Sequence, residues 1–209
     1  ALRDIRYSVA LDVTGADSAS GTVIVRFTQA SARDVILDFR GKSITRIVAN
    51  GKPLAPSTHW NGAHVRIPSP YARAGANEIA LTFVAPIAAA GASIIKSRDA
   101  TDGSTYLYTL LVPSDANLLF PCFDQPDLKA RVTLSVTAPR PWSVLANGAL
   151  VRSDSTTPAT PHHFAETWPI STYLIEFAAG PYTTVSRMHA LATGAAPTAM
   201  NMWVRASRQ

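Results

Sequence analysis

Apolar side chains recur at every second position along most of this chain. Ile5, Tyr7, Val9, Leu11 and Val13 alternate with Arg6, Ser8, Ala10 and Asp12. That period matches a strand with one buried face and no helix, whose apolar stripe repeats every three to four residues. Val23, Val25 and Phe27 repeat the pattern after the turn-rich Gly15–Gly21 link, so the two segments are expected to form a hairpin. Val35-Leu37-Phe39, Ile44–Val48, His64–Ile67, Ile79-Leu81-Phe83, Tyr106–Leu111 and Val132-Leu134-Val136 follow. Further strands are expected at Phe164–Trp168, Tyr173–Phe177 and Met200-Met202-Val204.

Turns punctuate these segments. Asn50-Gly51 favours the positive φ angles of a tight hairpin, so a strand is expected to return through Leu54. Asn147-Gly148 repeats the signal. Ala85–Ser104 loses the alternation and is expected to be a long loop, and Ser153–Pro161 a polar one. Ser114-Asp115-Ala116-Asn117 suits the start of one helical turn, which Pro121 and Pro126 then stop. No apolar helix of three or more turns is present in the pattern. Many short strands with frequent turns indicate an all-β sandwich or related multi-sheet fold.

Composition limits the classes. The 209 residues bury roughly 70% of their unfolded surface without a staple. A single cysteine, Cys122, excludes an internal disulfide and any Cys-pair zinc site. The net charge of +5 comes from 15 Arg and 4 Lys scattered from Arg3 to Arg208. A nucleic-acid binder clusters such residues on one face, so no nucleic-acid partner is expected. No run approaches the ~20 apolar residues of a membrane span.

Self-contained chemistry is hard to find. No H-E-x-x-H, nucleophile elbow or phosphate-cradling glycine loop occurs. His162 and His163 are adjacent, so on a strand they face opposite ways, and both read as solvent-facing loop residues. Cys122, between Pro121 and Phe123, reads as a buried structural thiol. Asp124 and Asp127 flank Gln125-Pro126, where turn amides are expected to satisfy Asp124. No catalytic residue and no metal ligand is assigned.

The segment Tyr106–Val136 reads YLYTLLVPSDANLLFPCFDQPDLKARVTLSV. With Phe120-Pro121-Cys122-Phe123-Asp124 and Pro126 at its centre, it resembles the amino-terminal β-domain of the aminopeptidase N family of zinc metallopeptidases (gluzincins). Trp142–Gly148 is similar to that family's Trp-x-Val-x-x-Asn-Gly hairpin, and Pro169–Leu174 to its Pro-Met-Ser-Thr-Tyr-Leu strand. Pattern and resemblance together give the expected fold. It is all-β, a curved multi-strand antiparallel sandwich or saddle with at most one or two short helical turns.

The resemblance implies that residues 1–209 are a single amino-terminal β-domain, a fragment of a larger peptidase. Its partners would be the catalytic domain of the same protein and, in the full-length enzyme, a peptide substrate. Zinc would belong to the absent catalytic domain, with no cofactor in this chain. Apolar surface is expected where that domain docks. Where the family has a Gln that reaches the substrate's amino terminus, this chain has Leu110, followed by Leu111, and Asn117 replaces an Arg. Leu110 and Leu111 are therefore the candidate substrate-binding residues, with a plain core role as the alternative for Leu110. A second class of function is a non-enzymatic protein-interaction module derived from the same family. A third is an unrelated carbohydrate-binding sandwich, which would need an exposed aromatic platform such as Trp60 or Trp203.

Overall fold

The computed structural model describes residues 1–154, 158–189 and 196–208. Its elements, in chain order, begin with the strands β1 (Leu2–Asp12), β2 (Ser18–Gln29), β3 (Val35–Asp38), β4 (Ser43–Ala49) and β5 (Lys52–Leu54). A short helix α1 (Pro56–His59) precedes β6 (His64–Ile67), β7 (Gly75–Ala88), β8 (Ile94–Arg98) and β9 (Thr105–Thr109). The second short helix, α2 (Ala116–Leu119), leads to β10 (Arg131–Pro139), β11 (Ser143–Ala146), β12 (Leu150–Ser153) and β13 (Ala159–Phe164). A 3-10 turn at Thr172–Leu174 comes before β14 (Phe177–Gly180), and β15 (Tyr182–His189) pairs with β16 (Thr198–Arg205). The all-β expectation is met.

One large curved sheet runs in the order β11-β14-β9-β8-β7-β2-β1-β10-β13-β12, with β4 attached along β7 and β5 along β4. The expected β1–β2 hairpin forms, and so does the β4–β5 hairpin at Asn50-Gly51, where both residues take positive φ. Alternation fixes the buried face. Tyr7, Val9 and Leu11 on β1, Val23 and Val25 on β2, and Ile79, Leu81 and Phe83 on β7 all point into one core. A smaller layer, the β3–β6 pair with the Phe120–Phe123 run beside it, closes that core from below.

Several expectations are corrected. The sheet is mixed, because β1 pairs β10 in parallel and β7 pairs β8 in parallel. These partners are not joined by hairpins, so nothing local forces them to run antiparallel. The long loop expected over Ala85–Ser104 is shorter, since β7 continues to Ala88 and β8 occupies Ile94–Arg98. Small alanines conceal the alternation there, yet Ile87 and Ile94 are buried. The strand expected at Phe164–Trp168 lies earlier, as β13, and shortens the polar loop expected over Ser153–Pro161; residues 155–157 of that loop lie outside the described residues.

Tyr173–Phe177 is likewise not a strand. Ser171 Oγ donates to the Pro126 carbonyl and Thr172 Oγ1 to Asp124, which hold a 3-10 turn before β14 starts at Phe177. The Asn147-Gly148 hairpin also does not form. β11 pairs with β14, whereas β12 pairs with β13. These two consecutive strands are the opposite edges of the large sheet, joined only by Asn147, Gly148 and Ala149. A side chain at Gly148 would sit 2.2 Å from the Ala165 carbonyl oxygen, so the crossing needs glycine.

His162 is buried on β13, not solvent-facing, with Nδ1 3.0 Å from the Thr160 carbonyl. Adjacent His163 points the other way, as alternation requires. Trp60 packs against the core and donates its ring N–H to the Phe39 carbonyl, which removes it as a platform. Trp203 lies on the β15–β16 ribbon, where Val185, Met188, Met200 and Met202 are also exposed.

Candidate functional site

The Phe120–Asp124 run is anchored at each step. Cys122 forms a two-way bridge with the end of β3: its N–H donates to the Asp38 carbonyl at 3.2 Å, and the Asp38 N–H donates to its carbonyl at 2.7 Å. Phe123 donates its N–H to the Tyr7 hydroxyl oxygen at 2.9 Å, and its ring meets Phe27 edge-on at 5.3 Å. Phe120 meets the Tyr7 ring at 5.4 Å. Cys122 is fully buried, as its neighbours suggested. Burial, helped by the nearby Asp124 and Asp38 charges, pushes its thiol well above the usual range. A thiol held neutral is a poor nucleophile.

Asp124 is satisfied by partners other than those expected. Its Oδ2 accepts from the Asn117 amide N–H at 3.1 Å and from Asn117 Nδ2 at 2.6 Å, and its Oδ1 accepts from Thr172 Oγ1 at 2.6 Å. It thereby caps α2 from outside, while Asp115, next to that helix, instead pairs with Arg40. Arg40 Nε also donates to Asn117 Oδ1 at 2.6 Å, so the Asn side chain relays a cation toward the carboxylate. Asp124→Ala leaves the Asn117 backbone N–H without an acceptor and its Nδ2 with only the Ser114 carbonyl. We expect a loss of about 1–3 kcal/mol in a urea titration; an unchanged midpoint would exclude this bracing role.

β9 carries the candidate binding residues at its end. Thr109 Oγ1 accepts the Phe177 N–H at 3.0 Å and ties β9 to β14. Beyond it the side chains alternate. Leu110 is 55% exposed, Leu111 is 2% exposed within the core, and Val112 is exposed again. The core alternative for Leu110 therefore fails, while Leu111 anchors the segment from behind. Beside them a groove of about 370 Å³ crosses β9, β14 and β11, lined by Tyr108, Leu145, Asn147, Glu176 and Ala178.

Glu176 was not singled out in the sequence, and Asn147 was read only as a turn residue. Asn147 Oδ1 accepts the Glu176 N–H at 2.7 Å, and its Nδ2 donates to the Leu174 carbonyl at 2.9 Å. An Asn-Gly pair reads as turn chemistry, which hides this second task. Among the described residues no three His, Cys, Asp or Glu side chains converge, so they offer no donor set that fits zinc. No helix among them is long and apolar enough to cross a membrane.

The fold is a curved β-sheet with the Phe120–Asp124 run clamped beneath it. Residues 4–174 match the Peptidase M1 N-terminal domain, and the chain belongs to that family. It is 27% identical to Aminopeptidase N of Streptomyces lividans over 190 residues, covering 88% of this chain and 21% of that protein. It is 38% identical to Glutamyl aminopeptidase of Homo sapiens over 77 residues, 36% of this chain and 8% of that protein. A Probable M1 family aminopeptidase 2 of Encephalitozoon cuniculi is 41% identical over 70 residues, 32% of this chain and 8% of that protein. The chain thus spans about a fifth, or less, of the length of these relatives.

Proposed function

We propose that this chain is the non-catalytic amino-terminal domain of an aminopeptidase N-like zinc metallopeptidase. It caps the catalytic cleft and forms part of the wall that receives a peptide's amino terminus. The observation that carries the reading is Leu110, within the family-matched residues yet 55% exposed instead of buried in the core. Leu110 lines the wall, and Leu111 fixes it from the core side. The exposed methionines and Trp203 of the β15–β16 ribbon fit a surface that packs on a catalytic domain. Zinc binding and water activation would be the work of that domain, since an open zinc site needs three converging protein ligands.

The test is expression of the whole gene product and of residues 1–209 alone. The whole protein should hold about one zinc and release amino acids from aminoacyl anilides; the isolated chain should do neither. Hydrolysis by the isolated chain would reject the non-catalytic assignment. A whole protein that binds no zinc and cleaves no aminoacyl substrate would instead favour the interaction module.

A further inference from the structure

The chain has three glutamates, and two of them sit against arginine. Glu78 accepts from Arg26 at 2.9 Å, and Glu166 pairs with Arg6 and Arg131. The Glu176 carboxylate has no hydrogen-bond or ion-pair partner among the described residues, although the chain carries a net charge of +5. It is nonetheless firmly placed. Its own N–H is held by Asn147, and the next residue, Phe177, is held by Thr109.

Its surroundings are specific. Glu176 and Ala178 are two apart, so they share a face of the chain, and Ala178 pairs directly with Tyr108. Leu145 of β11, half-buried, adds an aliphatic side chain to the same groove. The groove thus offers one free carboxylate, an exposed phenol ring and a half-buried leucine. An aromatic and aliphatic surface accepts methylene stems, and a free carboxylate forms charge-assisted hydrogen bonds with ammonium or guanidinium. An anionic ligand would be repelled.

We propose that this groove is a binding site for the organic cation of a peptide, an alkylammonium or guanidinium group on an apolar stem, with Glu176 as its counter-ion. The inference rests on the peptide-binding reading above and names the substrate class of that wall. The cation has two sources, the α-amino group or a Lys or Arg side chain.

The test is an amide chemical-shift titration of the chain with argininamide, agmatine and leucinamide. Agmatine has the guanidinium without the α-amino group of an amino acid, and leucinamide has the α-amino group without a basic side chain. Argininamide should shift the Asn147, Glu176 and Phe177 amides, and Glu176→Gln should weaken it at least fivefold. Asp127→Asn, at an exposed acid away from the groove, should leave binding unchanged. Agmatine binding would assign the side chain as the source, and leucinamide binding alone would assign the α-amino group; each supports the site. Absence of shifts at these amides, or equal binding by a folded Glu176→Gln chain, overturns it. In the whole protein, Glu176→Gln should lower the arginyl-to-leucyl ratio of kcat/KM if the side chain is the source. No hydrolysis of any anilide with Glu176-dependent binding intact would defeat the peptidase reading and spare the site. Robust hydrolysis with no Glu176-dependent binding would do the reverse.

Discussion

Phe120→Ala should destabilise this chain by about 3–5 kcal/mol, the usual cost of deleting a fully buried ring. Phe120 has no exposed surface and meets Tyr7 edge-on. Its loss opens a cavity between the main sheet and the layer beneath it. The neighbouring bridge from Cys122 to Asp38 and the Phe123–Tyr7 hydrogen bond depend on that ring for their position. Domains of this size are stable by only about 5–15 kcal/mol, so the variant should retain little margin. A urea titration reads the loss directly. A loss below about 1 kcal/mol would mean that the site collapses freely and that the run is not a structural anchor.

The second large effect is alkaline. Tyr7 and Cys122 are both buried, and burial holds both in their neutral forms. Cys122 also raises Tyr7, because a phenolate there would face a neighbouring thiolate. The linkage has a definite sign. Below about pH 9 folded and unfolded chains hold the same protons on these groups, and their contribution to stability is complete. As pH rises past the ordinary thiol value near 9, the unfolded chain releases a proton that the folded chain keeps, so stability falls. The slope is about 1.4 kcal/mol per pH unit for the thiol. It doubles above about pH 10 when the phenol joins. Urea midpoints between pH 8 and 11 should therefore drop steeply. Cys122→Ala should flatten the first part of the fall and Tyr7→Phe the second. Parallel curves for all three proteins would show that neither group controls the alkaline limb.

The candidate site was only half legible in the sequence. Leu110 stood out because it departs from a family pattern, and the structure places it at the surface. Glu176 had no such mark. A single glutamate before Phe177 reads as ordinary surface, and only the pairing of β14 with β9 and β11 brings it to the same groove as Tyr108 and Asn147. Asp124 was recognised as a bonded carboxylate, but its partners were misjudged. Turn chemistry is local, whereas Thr172 is 48 residues away.

What the sequence determined by itself is which side chains face inward. Alternation over Ile5–Leu11, Val23–Phe27 and Ile79–Phe83 is a property of each strand alone, and every one of those stripes is buried. It also determined the Asn50-Gly51 turn, because positive φ is a local preference. The tertiary structure alone decided which strand lies beside which, and in what direction. Backbone donors and acceptors are the same at every residue, so one strand edge can pair with any other that the core brings near. That is why β10 lies parallel to β1, why β11 and β12 part at Gly148 to become opposite edges, and why the groove at the end of β9 acquires a free carboxylate.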